Sequence, residues 1–227
     1  AGLAAAALVE DGMRIGLGTG STTAFAIEAV GRRVREEGLD VAGVPTSFAA
    51  QRLARQHGVP TLTLDDLELE TGAHALDLAL DGADEVDPEG RLVKGRGAAH
   101  VREKVVASLA ARFAVLIDPS KQVGRLGTTM PVPVEVLPMA EPAVSQALRR
   151  LGAEPALRMG ARKDGPVVTD QGLWVVDARF DGIDDPDRLG AEIDGLPGVL
   201  GHGLFLGLAT DVLVGGETVR HLVVGTR

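Results

Sequence analysis

Residues Leu76–Lys104 read LDLALDGADEVDPEGRLVKGRGAAHVREK, and the fold follows from how this stretch is parsed. The apolar run Leu76, Leu78, Ala79, Leu80 predicts a buried strand. It breaks at Asp81-Gly82-Ala83-Asp84, a turn with two carboxylates three residues apart at the strand's carboxyl end. A second turn, Asp87-Pro88-Glu89-Gly90, leads into the basic, glycine-rich loop Lys94-Gly95-Arg96-Gly97, and a helical run from Ala98 then carries Glu103. Open α/β sheets bind ligands beyond the carboxyl ends of their strands, so the chemistry is expected here. Helical periodicity puts Ala98, Val101, Val105 and Leu109 on the apolar face. Glu103 lies roughly 160° from Val105 at 100° per residue, which predicts a solvated glutamate unless that face lines a cleft.

Working back toward the start, Ala1–Val9 reads as an Ala-rich helix ended by Asp11-Gly12, and Met13–Leu17 as a strand. Gly16-Leu17-Gly18-Thr19-Gly20-Ser21-Thr22-Thr23 then opens a helix with Ala26, Val30 and Val34 on one face. Strand, glycine turn and helix together direct free backbone N–H groups at an anion. Two nucleotide readings fail on the letters. A dinucleotide fingerprint needs Gly where Ser21 stands and an acidic residue after the second strand, where Val41–Val44 runs into Pro45-Thr46-Ser47; a P-loop needs Lys where Gly20 stands. The readings left open are a small phosphate held by amides and by the hydroxyls of Thr19, Ser21 and Thr22, or a turn that only packs its helix on the sheet.

Ser47 is placed to cap a helix running to about His57 and closed by Gly58, and Val59–Leu64 reads as a further strand. Phe113–Ile117 is another strand, ending in Asp118-Pro119-Ser120-Lys121. The alternation predicts a parallel sheet. From about Thr128 the texture changes: Pro131–Val136 reads as an edge strand, Pro142–Leu151 as a helix, Ala156–Met159 and Leu173–Ala178 as strands, Pro186–Ile193 as a helix and Gly198–Leu200 as a strand. That β-α-β-β-α-β order predicts a ferredoxin-like unit. Leu204–Val224 is apolar, glycine-punctuated and able to return to the first sheet. The expected organisation is thus α/β: a Rossmann-like parallel-sheet domain over 1–127 plus 203–227, with a smaller ferredoxin-like α+β domain inserted over 128–202.

Composition limits the function. Of 227 residues 45% are apolar, enough for a sizeable core, but with five Phe, one Trp and no Tyr that core must be aliphatic. Thirty-two acidic against 23 basic residues give a net charge of −9, with no basic block, which argues against a nucleic-acid surface. An anionic ligand therefore needs local donors, and in a chain with only four Lys, Lys94 and Lys121 both lie at turns. The chain has no cysteine, which excludes disulfides and thiolate chemistry. No apolar run approaches the ~18 residues of a membrane span and the start lacks a signal-peptide pattern, so a soluble cytoplasmic protein is expected. The five histidines show no metal-ligand spacing and there is no G-x-S-x-G elbow.

Seven blocks in order, GLGTGST (16–22), GVPTS (43–47), LDGADEVD (80–87), LVKGRGAAHVREK (92–104), IDPSKQVGRLG (117–127), PVPVEV (131–136) and VTDQGLWVVDARF (168–180), resemble the type A ribose-5-phosphate isomerase family across nearly the whole chain. The resemblance implies a cofactor-free interconversion of ribose 5-phosphate and ribulose 5-phosphate, a step of the non-oxidative pentose phosphate pathway, by a homodimer or homotetramer. It implies that Thr19, Gly20, Ser21, Thr22, the turn Asp81, Gly82, Ala83, Asp84, the loop Lys94, Gly95, Arg96, Gly97, and Lys121 bind substrate, with Glu103 as the base aided by Asp81, Asp84 and Lys94. Read from the residues alone, Arg96 at the loop tip is expected to be solvated. The rival readings are a different sugar-phosphate isomerase or deaminase on a similar fold, and a non-catalytic sugar-phosphate sensor.

Overall fold

The apolar runs of the first half become short buried strands, and the Ala- and Arg-rich runs between them become helices. The computed structural model describes residues 1–69 and 74–225. In chain order come α1 (Gly2–Ala6), β1 (Arg14–Leu17), α2 (Ser21–Glu37), β2 (Ala42–Pro45), α3 (Phe48–His57), β3 (Leu76–Gly82), β4 (Glu85–Val86), β5 (Leu92–Val93), α4 (His100–Ser108) and β6 (Ala110–Ile117). There follow β7 (Val132–Val136), α5 (Glu141–Arg150), β8 (Glu154–Leu157), β9 (Trp174–Arg179), α6 (Pro186–Asp194), β10 (Val199–His202), β11 (Leu204–Phe205), β12 (Asp211–Val214) and β13 (Arg220–Val223).

These elements group into two units. The first comprises Ala1–Ala83, Arg102–Lys121 and Gly207–Arg227, and the second Asp84–Val101 and Gln122–Leu206. This grouping differs from the expected 1–127 plus 203–227 with 128–202 inserted, of which residues 226–227 lie outside the described residues. The difference has a backbone cause. Strands β4 and β5 join β11 in a three-stranded sheet of order β11-β5-β4, and Val123 N–H donates to Val86 O at 2.9 Å, so Asp84–Val101 belongs with the later chain.

The first unit is built on a six-stranded sheet of order β13-β12-β6-β3-β1-β2, parallel throughout except for β13, which runs antiparallel to β12. Counting its parallel strands as they occur along the chain, the order is 2-1-3-4-5, a doubly wound arrangement whose switch point lies between β1 and β3. Ile15, Leu17, Leu78, Leu80, Ala114 and Leu116 fill the core with Ala26 and Val30 of α2 and Ala50 and Ala54 of α3. Ser47 caps α3 by accepting Ala50 N–H at 3.0 Å, and Gly58 ends it at φ +77°. The strand expected over Val59–Leu64 is reduced to a single bridge, Gly43 with Thr61. Pro60 has no N–H to give a ladder, and the chain turns into a 3-10 helix at Leu64.

Helix α4 corrects the periodicity argument. Val105 is 42% exposed whereas Glu103 is 5% exposed, with Val106 and Ala107 buried beside it. Gly16 decides the rotation: a Cβ there would lie 2.4 Å from Val106 Cγ1, so the bare glycine of β1 forms the slot that Val106 fills. The i, i+3 neighbour of Val106 is Glu103, which turns inward with it.

Asp211 anchors the far strands of this sheet. Buried at the start of β12, it accepts from Arg112 Nη2 at 2.9 Å and from Thr210 Oγ1 at 2.6 Å, and His221 Nε2 lies 2.6 Å from its Oδ1. Burial works to raise its pKa, but the hydrogen bonds from Arg112, Thr210 and His221 and the Arg112 charge prevail and hold it below the usual 3.8. A carboxylate with a depressed folded-state pKa contributes stability above its unfolded pKa and loses it as pH falls through the folded one. Asp211→Asn should therefore cost about 1–3 kcal/mol at pH 7. In urea unfolding, the gap from wild type should shrink below about pH 4.

In the second unit, β7-α5-β8-β9-α6-β10 forms an antiparallel sheet of order β10-β7-β9-β8, the ferredoxin-like pattern anticipated. Val132, Val134 and Val136 pack against Val144 and Leu148 of α5 and Leu189 and Ile193 of α6. The PVPVEV segment is not an edge strand: β7 lies between β10 and β9. Pro133 is tolerated there because Gly203, which follows β10 and donates its N–H to Pro133 O at 2.8 Å, gives its own carbonyl to Lys94 N–H at 2.8 Å and so needs no donor from Pro133. Glu85 of β4, fully buried, accepts from Gly127 N (2.6 Å), Thr129 N (2.6 Å), Thr129 Oγ1 (2.6 Å) and Met130 N (2.8 Å).

Candidate active site

Where β1 ends, its glycines let it meet the end of β3. Gly18 donates to Leu80 O at 2.9 Å, and a Cβ on Gly18 would stand 2.3 Å from the Asp81 carboxyl carbon. The buried Asp81 carboxylate accepts Thr19 N–H at 3.1 Å and Gly82 N–H at 2.7 Å on Oδ1, with Thr23 Oγ1 at 3.5 Å. The glycine turn and the acidic turn, sixty residues apart in sequence, are thus one hydrogen-bonded assembly at the switch point. Gly20 sits at φ +129° before α2, whose first turn carries Ser21 and Thr22 and has no side-chain cap. A 17-residue helix starting this way presents N–H groups and the positive end of its dipole.

The Thr19 hydroxyl differs from the sequence reading, which offered it to a ligand. It lies 2.8 Å from Thr46 Oγ1 and donates to Ser47 Oγ at 2.7 Å. Thr19 therefore braces the turn against the residues after β2, leaving Ser21 and Thr22 as its outward hydroxyls. Thr46, Ser47 and Thr23 were missed as supports, although GVPTS was one of the seven blocks.

Lys121 ends the 3-10 turn Pro119–Lys121 after β6, which neighbours β3, so it shares the carboxyl edge of the sheet with Asp81 and the glycine turn. The adjacent Asp118 carboxyl is held below its usual range by the Ser120 hydroxyl first, and also by the Ser120 amide and the Lys121 charge. Helix α4 leads into β6 at the amino edge, so its first turn, with Glu103, lies toward this same carboxyl edge. Among the described residues, no group of three or more His, Asp or Glu side chains converges as metal ligands do.

The remaining candidates belong to the second unit. Asp84 donates its N–H to Val93 O at 2.8 Å, and its Oδ2 accepts Arg96 N–H at 3.0 Å. The Arg96 side chain is 69% exposed, as expected for a solvated arginine, with Nε 3.7 Å from Asp84 Oδ1. Lys94 is buried, its Nζ 5.5 Å from the centre of the Phe205 ring. Its N–H donates to Gly203 O at 2.8 Å, and Gly203 must be glycine because a Cβ would come 2.1 Å from Lys94 O. Gly95, at φ +111°, packs on His100, whose Nδ1 would be 2.8 Å from a Cβ.

A family model described as ribose 5-phosphate isomerase A (phosphoriboisomerase A) matches residues 42–219. The chain belongs to the ribose 5-phosphate isomerase A family. It is 57% identical over 213 residues to the ribose-5-phosphate isomerase A of Thermosynechococcus vestitus, spanning 93% of this chain and 88% of that protein. The Haloarcula marismortui ribose-5-phosphate isomerase A is 52% identical over 225 residues, 98% of this chain and 94% of its own. Among solved structures, the ribose 5-phosphate isomerase A of Methanocaldococcus jannaschii superposes with a TM-score of 0.92 at 46% identity, covering 98% of this chain and 96% of that one. A D-ribose-5-phosphate isomerase in complex with phospho-erythronic acid gives 0.92 at 44% identity, covering 98% and 97%. These family members share the α/β organisation of a parallel central sheet with a smaller α+β part.

Proposed function

We infer that the chain interconverts D-ribose 5-phosphate and D-ribulose 5-phosphate through an enediolate, with Glu103 as the base. The observation that carries this reading is the burial of Glu103, a glutamate that periodicity assigns to solvent, in a chain 57% identical to a ribose-5-phosphate isomerase A. The substrate phosphate sits on Ser21, Thr22 and the N–H groups that open α2, with Gly20 giving close approach and Lys121 adding positive charge on the same sheet edge. Asp81 to Asp84 hold sugar hydroxyls and assist ring opening. Glu103 removes the C2 proton of the open aldose, negative charge moves onto the C1 oxygen, and the same carboxyl returns its proton to C1. The hydroxyl proton passes from O2 to O1, so the product is the ketose with no net gain or loss of electrons. Lys94 and the amides of Gly95 and Gly97 donate to the developing oxyanion, while the Arg96 amide stays on Asp84.

Because the reaction is redox-neutral and moves only protons, it calls for no cofactor. The complex of a family member with phospho-erythronic acid supports the assignment, since that compound pairs a phosphate with a planar carboxylate of enediolate-like charge. Assembly as a homodimer or homotetramer and a cytoplasmic location belong to the same reading. Among the described residues no helix is long and apolar enough to cross a membrane. Incubation with ribose 5-phosphate in deuterium oxide tests the chemistry. Ribulose 5-phosphate should form, with deuterium from solvent entering the sugar. A sugar-phosphate sensor would exchange nothing, and exchange confined to another sugar phosphate would favour the rival isomerase.

A further inference from the structure

The tip of the Lys94–Gly97 loop has little side-chain packing of its own: Gly95 and Gly97 carry none, and Arg96 is mostly exposed. Its backbone is held at two points: Ala98 N–H donates to Gly95 O at 3.0 Å within the turn itself, and a second hold comes from sixty residues away. Ala156 of β8 pairs with Asp177 of β9, and Leu157 with Val176. Val176 and Ala178 face the core under α5 and α6, so Asp177, and Arg158 just past β8, project from the opposite face of the sheet. Arg158 Nε donates to Asp177 Oδ2 at 2.8 Å and Nη2 to Oδ1 at 2.5 Å, a two-pronged pairing that fixes the guanidinium plane. The remaining prong, Nη1, donates to the carbonyl oxygens of Gly95 at 2.9 Å and Arg96 at 3.0 Å.

Ala98 N–H shares the Gly95 carbonyl, so what Arg158 adds is its hold on the Arg96 carbonyl, and with it the direction of the next donor. In a planar trans peptide the N–H points opposite to the C=O, and every described peptide here is trans. Turning the Gly95 carbonyl toward Arg158 turns the Arg96 N–H away from it, where Asp84 Oδ2 accepts it at 3.0 Å. Turning the Arg96 carbonyl toward Arg158 in the same way turns the Gly97 N–H outward. We propose that Arg158, locked by Asp177, is a positioning residue for the isomerisation, aiming the Gly97 N–H at the oxyanion that develops on the sugar. The proposal rests on the reading that Lys94–Gly97 serve the substrate. Lysine is a poor replacement, because a point charge cannot hold a carboxylate and two carbonyls in one plane.

The test compares Arg158→Met, Arg158→Lys and Lys94→Met by steady-state kinetics, by thermal unfolding, and by binding of phospho-erythronic acid and ribitol 5-phosphate, an alcohol with no planar oxyanion. Deleting an oxyanion donor outright costs about 10²–10³ in kcat; a donor present but misaimed in Arg158→Met should cost about 10–100-fold, with KM within about threefold. Phospho-erythronic acid should bind that variant about tenfold more weakly and ribitol 5-phosphate within about twofold of wild type, with Arg158→Lys intermediate in kcat. Should Arg158→Met fail to fold, Asp177→Asn, which loosens the clamp without removing it, should show the same pattern at smaller amplitude. Near-normal kcat in a folded Arg158→Met protein, or equal weakening of both compounds, overturns the clamp. If Lys94→Met also keeps normal turnover, it is the reading of the loop that fails; if Lys94→Met is inactive, that reading stands without the clamp.

Discussion

Glu103→Gln should leave a folded protein that binds sugar phosphate with near-normal affinity and turns it over about 10²–10⁴-fold more slowly, the usual contribution of a positioned general base. Gln matches Glu in size, so the buried site at 5% exposure is neither emptied nor overfilled. Val106 in its slot over Gly16, and Ala107 beside it, still hold the helix at the same rotation. What is lost is the basic oxygen: an amide does not take a carbon-bound proton at neutral pH. Steady-state rates with ribose 5-phosphate, beside the melting temperature of the variant, separate loss of chemistry from loss of fold. Turnover within about tenfold of wild type would remove Glu103 as the base.

Glu85→Ala should be the most destabilising single truncation near the acidic turn, by about 3–5 kcal/mol, as when one partner of a buried charged network is removed. The Glu85 carboxylate accepts three backbone N–H groups and one hydroxyl from Gly127, Thr129 and Met130. Without it those donors stay buried with no acceptor, each unsatisfied group costing about 1–3 kcal/mol before relaxation or water entry. A domain of ordinary stability, about 5–15 kcal/mol, would be left marginal. Glu85→Gln should lose less, since one oxygen can still serve Thr129 and Met130 while the amide faces Gly127 N–H. Urea titration of both variants measures the order. An alanine variant within about 1 kcal/mol of wild type would mean that water replaces the carboxylate.

Much of the architecture is legible in the letters, because local rules and tertiary structure agree there. Ser47 and Gly58 bound α3 by capping chemistry alone, and the alternation of β7 to β10 with two helices gives the ferredoxin-like order. The rotation of α4 is not legible from its own residues. Val101 and Val105 outweigh His100 and Glu103 on any hydropathy count, and the deciding residue, Gly16, lies ninety positions earlier in another element. The same limit hides the edge-to-internal change at β7, since a proline's missing donor is harmless where the facing carbonyl, here that of Gly203, is taken by a distant residue, Lys94. At the candidate site the residue types were readable, as carboxylates, lysines and glycines at strand ends. Their supports were not: Thr46 and Ser47 under Thr19, four donors around Glu85, and Arg158 behind the loop act through contacts between segments far apart in sequence.

The way the chain passes from one unit to the other has a consequence for its synthesis. The central sheet of the first unit needs β12, whose Asp211 pairs with Ala114 of β6. Some ninety residues, nearly all belonging to the second unit, are translated between those two partners. When Leu206 emerges from the ribosome, the second unit has all of its chain, including the early piece Asp84–Val101, while the first still lacks two strands. The part made last thus completes the part begun first. Until it arrives, the β6 edge of the parallel sheet stays open, the condition in which a nascent chain is most exposed to mispairing and most dependent on chaperones.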